Sequence, residues 1–388
     1  MPKVHSLMDV KAARGTPRAL GYTFPAEFGA QCATWFSWPR PEGISFPGRY
    51  HRIAANLAGI VHAVALRQDV HINVLSDNWA RLVQDLLIEQ GVPRELCTGA
   101  GRRVFFHFMP TNECWCRDHG PAFLVKSRAG AAAQVSDVAV VDWAFNAWGG
   151  KYPPWDADDA VPTTIARRAK LRLFTSPLVM EGGSVEFNGA GTILTTTQCL
   201  LNKNRNPGAS RAQIERALLD FYGQRHVVWL SEGIEGDDTD GHIDDLARFV
   251  SPSKIVVGIE DSKRDANYKQ LDRALGKLFD AKDQDGQPFE IVTIPMPGVQ
   301  RIAGERVPAT YMNFLFVQGA CLVPVFGHAS EDRALTLLQD HLPKHEVVAV
   351  DCRELIWGLG AVHCLSQQVP QAKGLGARLR AMAGRVPV

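Results

Sequence analysis

The chain has 388 residues, 46% apolar and 21% charged, a globular composition that excludes a disordered, collagenous or coiled-coil protein. Lys plus Arg less Asp plus Glu is 42 − 41 = +1, so no bulk field draws in nucleic acid or an anionic membrane. No apolar run approaches the ~18 residues of a membrane span, the start MPKVHSLMDVKAARG lacks a signal-peptide core, and eight cysteines are too sparse for a disulfide scaffold, so a cytoplasmic location with reduced thiols is expected.

Apolar and amphipathic periodicities alternate along the chain. They predict a strand over 33–38, a helix over 51–68, a strand over 70–76, a helix over 78–90 and a strand over 103–109. A strand follows over 171–175, then a helix over 210–222, a strand over 226–230, a helix over 266–280, a strand over 290–295, a helix over 331–341 and a strand over 346–351. Gly91 and Gly223 stand just past two of the helix ends, where a left-handed residue is favoured. The DQDG of 283–286 reads as a turn, since an EF-hand frame there would place Val292 where a Glu is needed.

A repeat runs through this pattern. RDHGP precedes AFLV, MEGG precedes SVEF and TILTT, GHIDD precedes ARFV and IVVGI, and YMN precedes FLFV and CLVPVF. Four times a polar loop leads directly into an apolar hairpin, and a unit of hairpin, helix, strand and loop emerges. CATWFSWP is expected to be the first hairpin strand of a fifth unit. Reactive side chains keep the same beat: Asp118 to Glu181 is 63 residues, Glu181 to His242 is 61, and His242 to Cys364 is 122, twice 61. Units arranged about an axis would bring such loops to one central pocket. No Gly/Pro/Ser-rich linker divides the chain, so one domain over 1–388 is expected.

Each loop has a bland and a chemical reading. Cys364, in WGLGAVHC, is either a core cysteine or a nucleophile given access by two glycines, the latter requiring a lowered thiol pKa. The run 235–245, EGDDTDGHIDD, holds six carboxylates around His242 without a Lys or Arg; it is either a solvated acidic turn or a His-x-Asp pairing suited to proton transfer. In CWCRDHGP, Asp118 either pairs with neighbouring Arg117 or joins Trp115 in a cation receptor, the indole offering a π face and the carboxylate two parallel acceptors. Glu181 adds a carboxylate between glycines in MEGGS. Cys114 and Cys116 point to one side of a strand but have no second pair to complete a zinc site, and read as packed thiols. One thiol, one imidazole and three carboxylates together suit nucleophilic substitution at a guanidinium carbon.

The segments WCRDHGP, FNAWGGKYPPWDADD, MEGGSVEFNGAGTILTTTQCLLNKNRNP, DTDGHIDDLARF, YMNFLFVQGACLVPVFG and GAVHCLSQQ resemble the agmatine deiminase and bacterial-type peptidylarginine deiminase family from about Phe24 to Pro370. The resemblance implies an α/β pentein propeller, five ββαβ-like units around a pseudo-fivefold axis, and hydrolysis of a guanidino group with no metal and no cofactor. It implies Cys364 as nucleophile, His242 as general acid/base, Asp118 and Asp244 as guanidinium ligands, Glu181 beside them and Trp115 lining the slot. GLGAVHC stands where the family commonly has GGGNIHC, and DDTDG precedes His242 in place of an ETNG-like run; both bear on substrate choice.

The function expected is agmatine deimination to N-carbamoylputrescine and ammonia, with a small cationic guanidino substrate, no nucleic-acid or membrane partner, and a homo-oligomer left open. The acidic run 235–245, with Asp156, Asp158 and Asp159, is expected to favour a substrate cationic at both ends. The alternatives are deimination of peptidyl-arginine or another guanidine, a non-catalytic pentein binding protein, and a metal-dependent hydrolase built on His242, Asp244 and His363.

Overall fold

The computed structural model describes residues 15–127, 135–384 and 386. The start of the chain and the turn expected after AFLV lie outside them. Five mixed sheets share one pairing pattern, in which a short antiparallel pair is extended by a parallel strand that returns through a helix. Ala122–Ser127 pairs antiparallel with Val135–Ala144, which pairs parallel with Arg172–Val179. The pattern recurs in Val185–Phe187, Thr192–Thr196 and His226–Leu230, in Ala247–Ser251, Lys254–Ile259 and Glu290–Pro295, and in Leu315–Val317, Ala320–Val325 and Glu346–Asp351.

The fifth sheet corrects the sequence reading. Gln31–Ser37 is the second strand of its hairpin, and the first comes from the other end of the chain: Ser366–Pro370 pairs antiparallel with it, Phe36 opposite Ser366. Asp69–Val74 and Val104–Phe108 then extend the sheet in parallel to four strands. Strands in the middle of the sheets, such as Asp69–Val74 and Ala320–Val325, are buried at every position, as parallel strands covered on both faces must be.

The helices start and stop where local chemistry dictates. Ser76 accepts from Trp79 N to open Asp77–Glu89, and a reciprocal capping box between Ser210 and Gln213 opens Arg211–Tyr222. That second helix ends at Gly223 with φ 65, where a Cβ would come 1.9 Å from the Tyr22 carbonyl oxygen. A helix the sequence reading did not predict, Val161–Arg168, completes the crossover of the Ala122–Ser127 sheet. Among the described residues no helix is long and apolar enough to cross a membrane. The consequence for function lies in the loops that precede the hairpins, which contain Asp118, Glu181, His242, Asn313 and Cys364.

Candidate active site

The loops that carry Asp118, His242 and Cys364 contribute to the wall of a cavity of about 220 Å³. Asp118, Trp115 and Cys364 lie on its wall, with Trp148, Tyr152 and Asp238 toward the loops around it. His242 Nδ1 is 3.8 Å from Asp118 Oδ1 and 4.0 Å from Asp244 Oδ1, and Cys364 Sγ is 3.9 Å from Asp244 Oδ2. Glu181 Oε2 lies 3.4 Å behind the ring at His242 Nε2. The structure therefore brings Asp118, Glu181, His242, Asp244 and Cys364 together. Two of their buried polar atoms, His242 Nδ1 and Asp244 Oδ1, have no hydrogen-bond partner. Burial without a partner is costly, so these atoms mark where a polar ligand would bind.

The glycines and backbone conformation make this convergence sterically feasible. A Cβ on Gly183 would come 2.6 Å from His242 Nδ1 and 3.0 Å from Asp118 Oδ1, and Gly183 N instead donates to Asp118 Oδ1 at 3.0 Å. A Cβ on Gly360 would strike the Trp115 ring at 2.6 Å, so WGLG closes over the indole only because it is glycine there. Trp115 Nε1 donates to Ser45 Oγ at 2.8 Å, and Trp148 Nε1 donates to Asp118 Oδ2 at 3.0 Å. Trp148 (φ 56) and Leu359 (φ 66), both on the cavity wall, hold left-handed conformations unusual for residues of their size.

Charge is distributed unevenly. Burial, with Asp244 and Glu181 adding to it, raises Asp118 to about 6 despite His242 and the Trp148 bond. Burial would lower His242, yet Asp118, Cys199 and Glu181 hold it well above the ordinary imidazole range, so it is an imidazolium at neutral pH. Burial would also raise Asp244 and Glu181; hydrogen bonds and charge from His363 keep Asp244 low, and His242 and Arg205 keep Glu181 low. The thiol departs from expectation. Burial and then Asp244, Asp245 and Asp118 push Cys364 well above an ordinary thiol, contrary to the lowered pKa expected.

Three further corrections concern the acidic segments and cysteines. The run 235–245 is not a free anionic mouth: Lys151 Nζ lies 3.1 Å from Asp240 and 3.6 Å from Asp238, Arg205 also bonds Asp240, and Asp237 accepts from Gly241 N and His242 N at 2.9 Å. Asp158 is buried and turned to the backbone, taking Asn112 N at 2.7 Å and Glu113 N at 3.2 Å. Cys114 and Cys116 lie in a turn and at the start of the helix Cys116–His119, not on a strand, and burial raises both thiols.

Several site residues were not anticipated. Asn313 Nδ2 is 3.0 Å from Cys364 Sγ and 2.9 Å from Asp245 Oδ1, while its Oδ1 accepts from His363 N at 3.0 Å. The loop that carries it, YMN, was recognised as a repeat equivalent, and that equivalence was the available signal. Arg205 donates to Glu181 Oε1 at 2.7 Å, and Glu27 accepts from Arg117, which is thereby drawn away from Asp118.

Metal-type ligand atoms come within 4.8 Å of one another in two groups among the described residues, Glu181 with Cys199 and His242, and Asp244 with Asp245 and Cys364. Neither is the set His242, Asp244 and His363. In the first group Glu181 is already paired with the Arg205 guanidinium at 2.7 Å.

The family model of Porphyromonas-type peptidyl-arginine deiminases matches residues 23–370. A relative from Shewanella sp. (strain MR-7), provisionally named agmatine deiminase, is 33% identical over 94% of this chain and 99% of its own. The solved agmatine deiminase of Enterococcus faecalis superposes with a TM-score of 0.81 at 28% identity, covering 92% of this chain and 98% of that one. The substrate-bound agmatine deiminase of C. jejuni gives 0.79 at 27% identity, covering 90% and 96%.

Proposed function

The chain belongs to the Porphyromonas-type peptidyl-arginine deiminase family, and we propose that it is an agmatine deiminase, converting agmatine and water to N-carbamoylputrescine and ammonia in a route to putrescine. The observation that carries this substrate is the cavity wall. Its 15 lining residues include Glu113, Asp118 and Asp238 and no Lys or Arg. A diamine-like substrate with a guanidinium at one end and an ammonium at the other meets acceptors at both, whereas the α-carboxylate of arginine would be desolvated without a cation. Glu113, held by Ile44 N at 2.7 Å and Ser45 Oγ at 2.6 Å, is the acceptor for the distal ammonium.

In this reading Asp118 and Asp244 take the guanidinium N–H groups, and Trp115 bounds the slot. The bound cation neutralises the carboxylates that hold the thiol protonated, so Cys364 releases its proton to solvent when substrate arrives. Its sulfur attacks the guanidinium carbon, the His242 imidazolium gives a proton to the departing nitrogen, and ammonia leaves a covalent thiouronium. Neutral His242 then takes a proton from water as it attacks the same carbon, and cleavage of the C–S bond returns the thiol and the ureido product. The five sheets are read as the five units of a pentein about a pseudo-fivefold axis, within a single domain over 1–388. A cytoplasmic location accords with a metabolite substrate.

Acid quenching of the wild-type protein during turnover of agmatine should trap a Cys364 adduct of agmatine less ammonia, detected by peptide mass spectrometry, while Cys364→Ala should lose turnover by several orders of magnitude. An adduct on Cys114, Cys116 or Cys199, or substantial activity in Cys364→Ala, would contradict the covalent assignment.

A further inference from the structure

Next to the site residues lies a carboxylate that the deimination chemistry does not use. Glu27 is 5% exposed, and its Oε1 accepts from Phe316 N at 2.8 Å. Its Oε2 lies 2.7 Å from His363 Nε2, 3.1 Å from Arg117 Nη2 and 3.3 Å from Arg248 Nη2. Arg117 precedes Asp118, His363 precedes Cys364, and Arg248 follows Asp244 by four residues, so one carboxylate ties down three loops of the site. Arg248 also pairs with Glu186 at 3.0 Å, the remaining acidic group facing this cluster.

His363 is the link to the chemistry. Its Nε2 faces Glu27, and its Nδ1 is 2.6 Å from Asp244 Oδ2. Carboxylates can only accept, so both ring nitrogens must donate, and the ring is an imidazolium between two anions. With Oδ2 engaged in this way, Asp244 Oδ1 is left buried and without a hydrogen-bond partner, 4.0 Å from His242 Nδ1. We propose that Glu27 and His363 are positioning residues: Glu27 holds His363 as an imidazolium that orients Asp244, leaving one carboxylate oxygen free for the guanidinium. The proposal rests on the deiminase reading for the ligand, but the charge state of His363 can be tested without it.

The experiment combines nitrogen-15 NMR of full-length protein labelled at histidine, His363 being assigned with a His363→Gln variant, and steady-state kinetics on agmatine. In the wild-type protein both His363 nitrogens are expected to carry a proton, as their two carboxylate partners require, whereas in Glu27→Gln one nitrogen should lose its proton. Loss of the charged bond should lower kcat/KM of Glu27→Gln by at least about tenfold, mainly through KM, because Cys364 and His242 are untouched. Glu27→Asp, which keeps the charge, should regain part of the loss. A neutral His363 in the wild-type protein overturns the proposal, as does a folded Glu27→Gln variant with kinetics within about twofold of wild type. Should Glu27→Gln fail to fold, the wild-type spectrum decides alone. Wild-type protein that does not turn over agmatine counts against the function reading, and the spectrum still tests the His363 assignment.

Discussion

Under the proposed function, Asp118 sets the acid limit of the reaction. A carboxyl raised to about 6 by burial and its neighbours binds a guanidinium only when ionised, so protonation removes capture of the substrate. The sign follows directly: kcat/KM for agmatine should fall about tenfold per pH unit below pH 6 and level off above it, since this constant reports groups of the free enzyme. An acid limb near pH 4, where an ordinary carboxylate titrates, would contradict the buried environment described for Asp118. At this scale the sequence was legible where a reactive group stood in a glycine-bearing loop at the common spacing, as for Glu181 and Cys364. Glu27 was illegible because its partner His363 lies 336 residues away, and no local pattern announces a contact of that separation. The raised thiol of Cys364 was likewise hidden, since it comes from carboxylates on other loops.

Between elements, the segment carrying Trp115 is fastened by the short helix Asp156–Asp159. Asp158 accepts from Asn112 N and Glu113 N, and Asn112 Oδ1 accepts in return from Ala157 N at 2.8 Å and Asp158 N at 3.2 Å. Asp158→Ala leaves two half-buried backbone donors unpaired, which should cost about 1 kcal/mol of stability and raise KM as Glu113 and Trp115 lose their fixed position. Denaturant unfolding together with kinetics checks this; unchanged stability and KM would mean that the clasp is redundant. WDADD looked like part of an acidic mouth because carboxylates adjacent in sequence were assumed to share a destination. A helical turn separates them, leaving Asp158 buried while Asp156 and Asp159 remain exposed. The long helices and the inner strands, by contrast, were visible through period and burial, and their ends through Ser210 and Gly223.

Across the whole molecule, the strand that precedes the first helix is completed by the strand that follows Cys364. Ser366–Pro370 pairs with Gln31–Ser37 along its length, so the loop of Cys364 is anchored in a sheet built from both ends of the described chain. The repeat pointed to five units, but a hairpin whose two strands lie at opposite ends of the sequence has no turn to recognise, which is why the order of the fifth was misread. Closure of this kind couples the sheets. Thermal unfolding followed by circular dichroism and by tryptophan fluorescence should therefore give one coincident transition, and two separated transitions would show independently folding parts. The central claim concerns what the assembled loops act on, and side-by-side kinetics on agmatine, free arginine and an arginine-containing peptide tests it most directly. Ammonia and ureido product should form from agmatine with a kcat/KM at least tenfold above the other two, about 1.4 kcal/mol in transition-state stabilisation. A higher specificity constant for arginine or the peptide would contradict the agmatine assignment, and no ureido product from any of the three would contradict the deiminase itself.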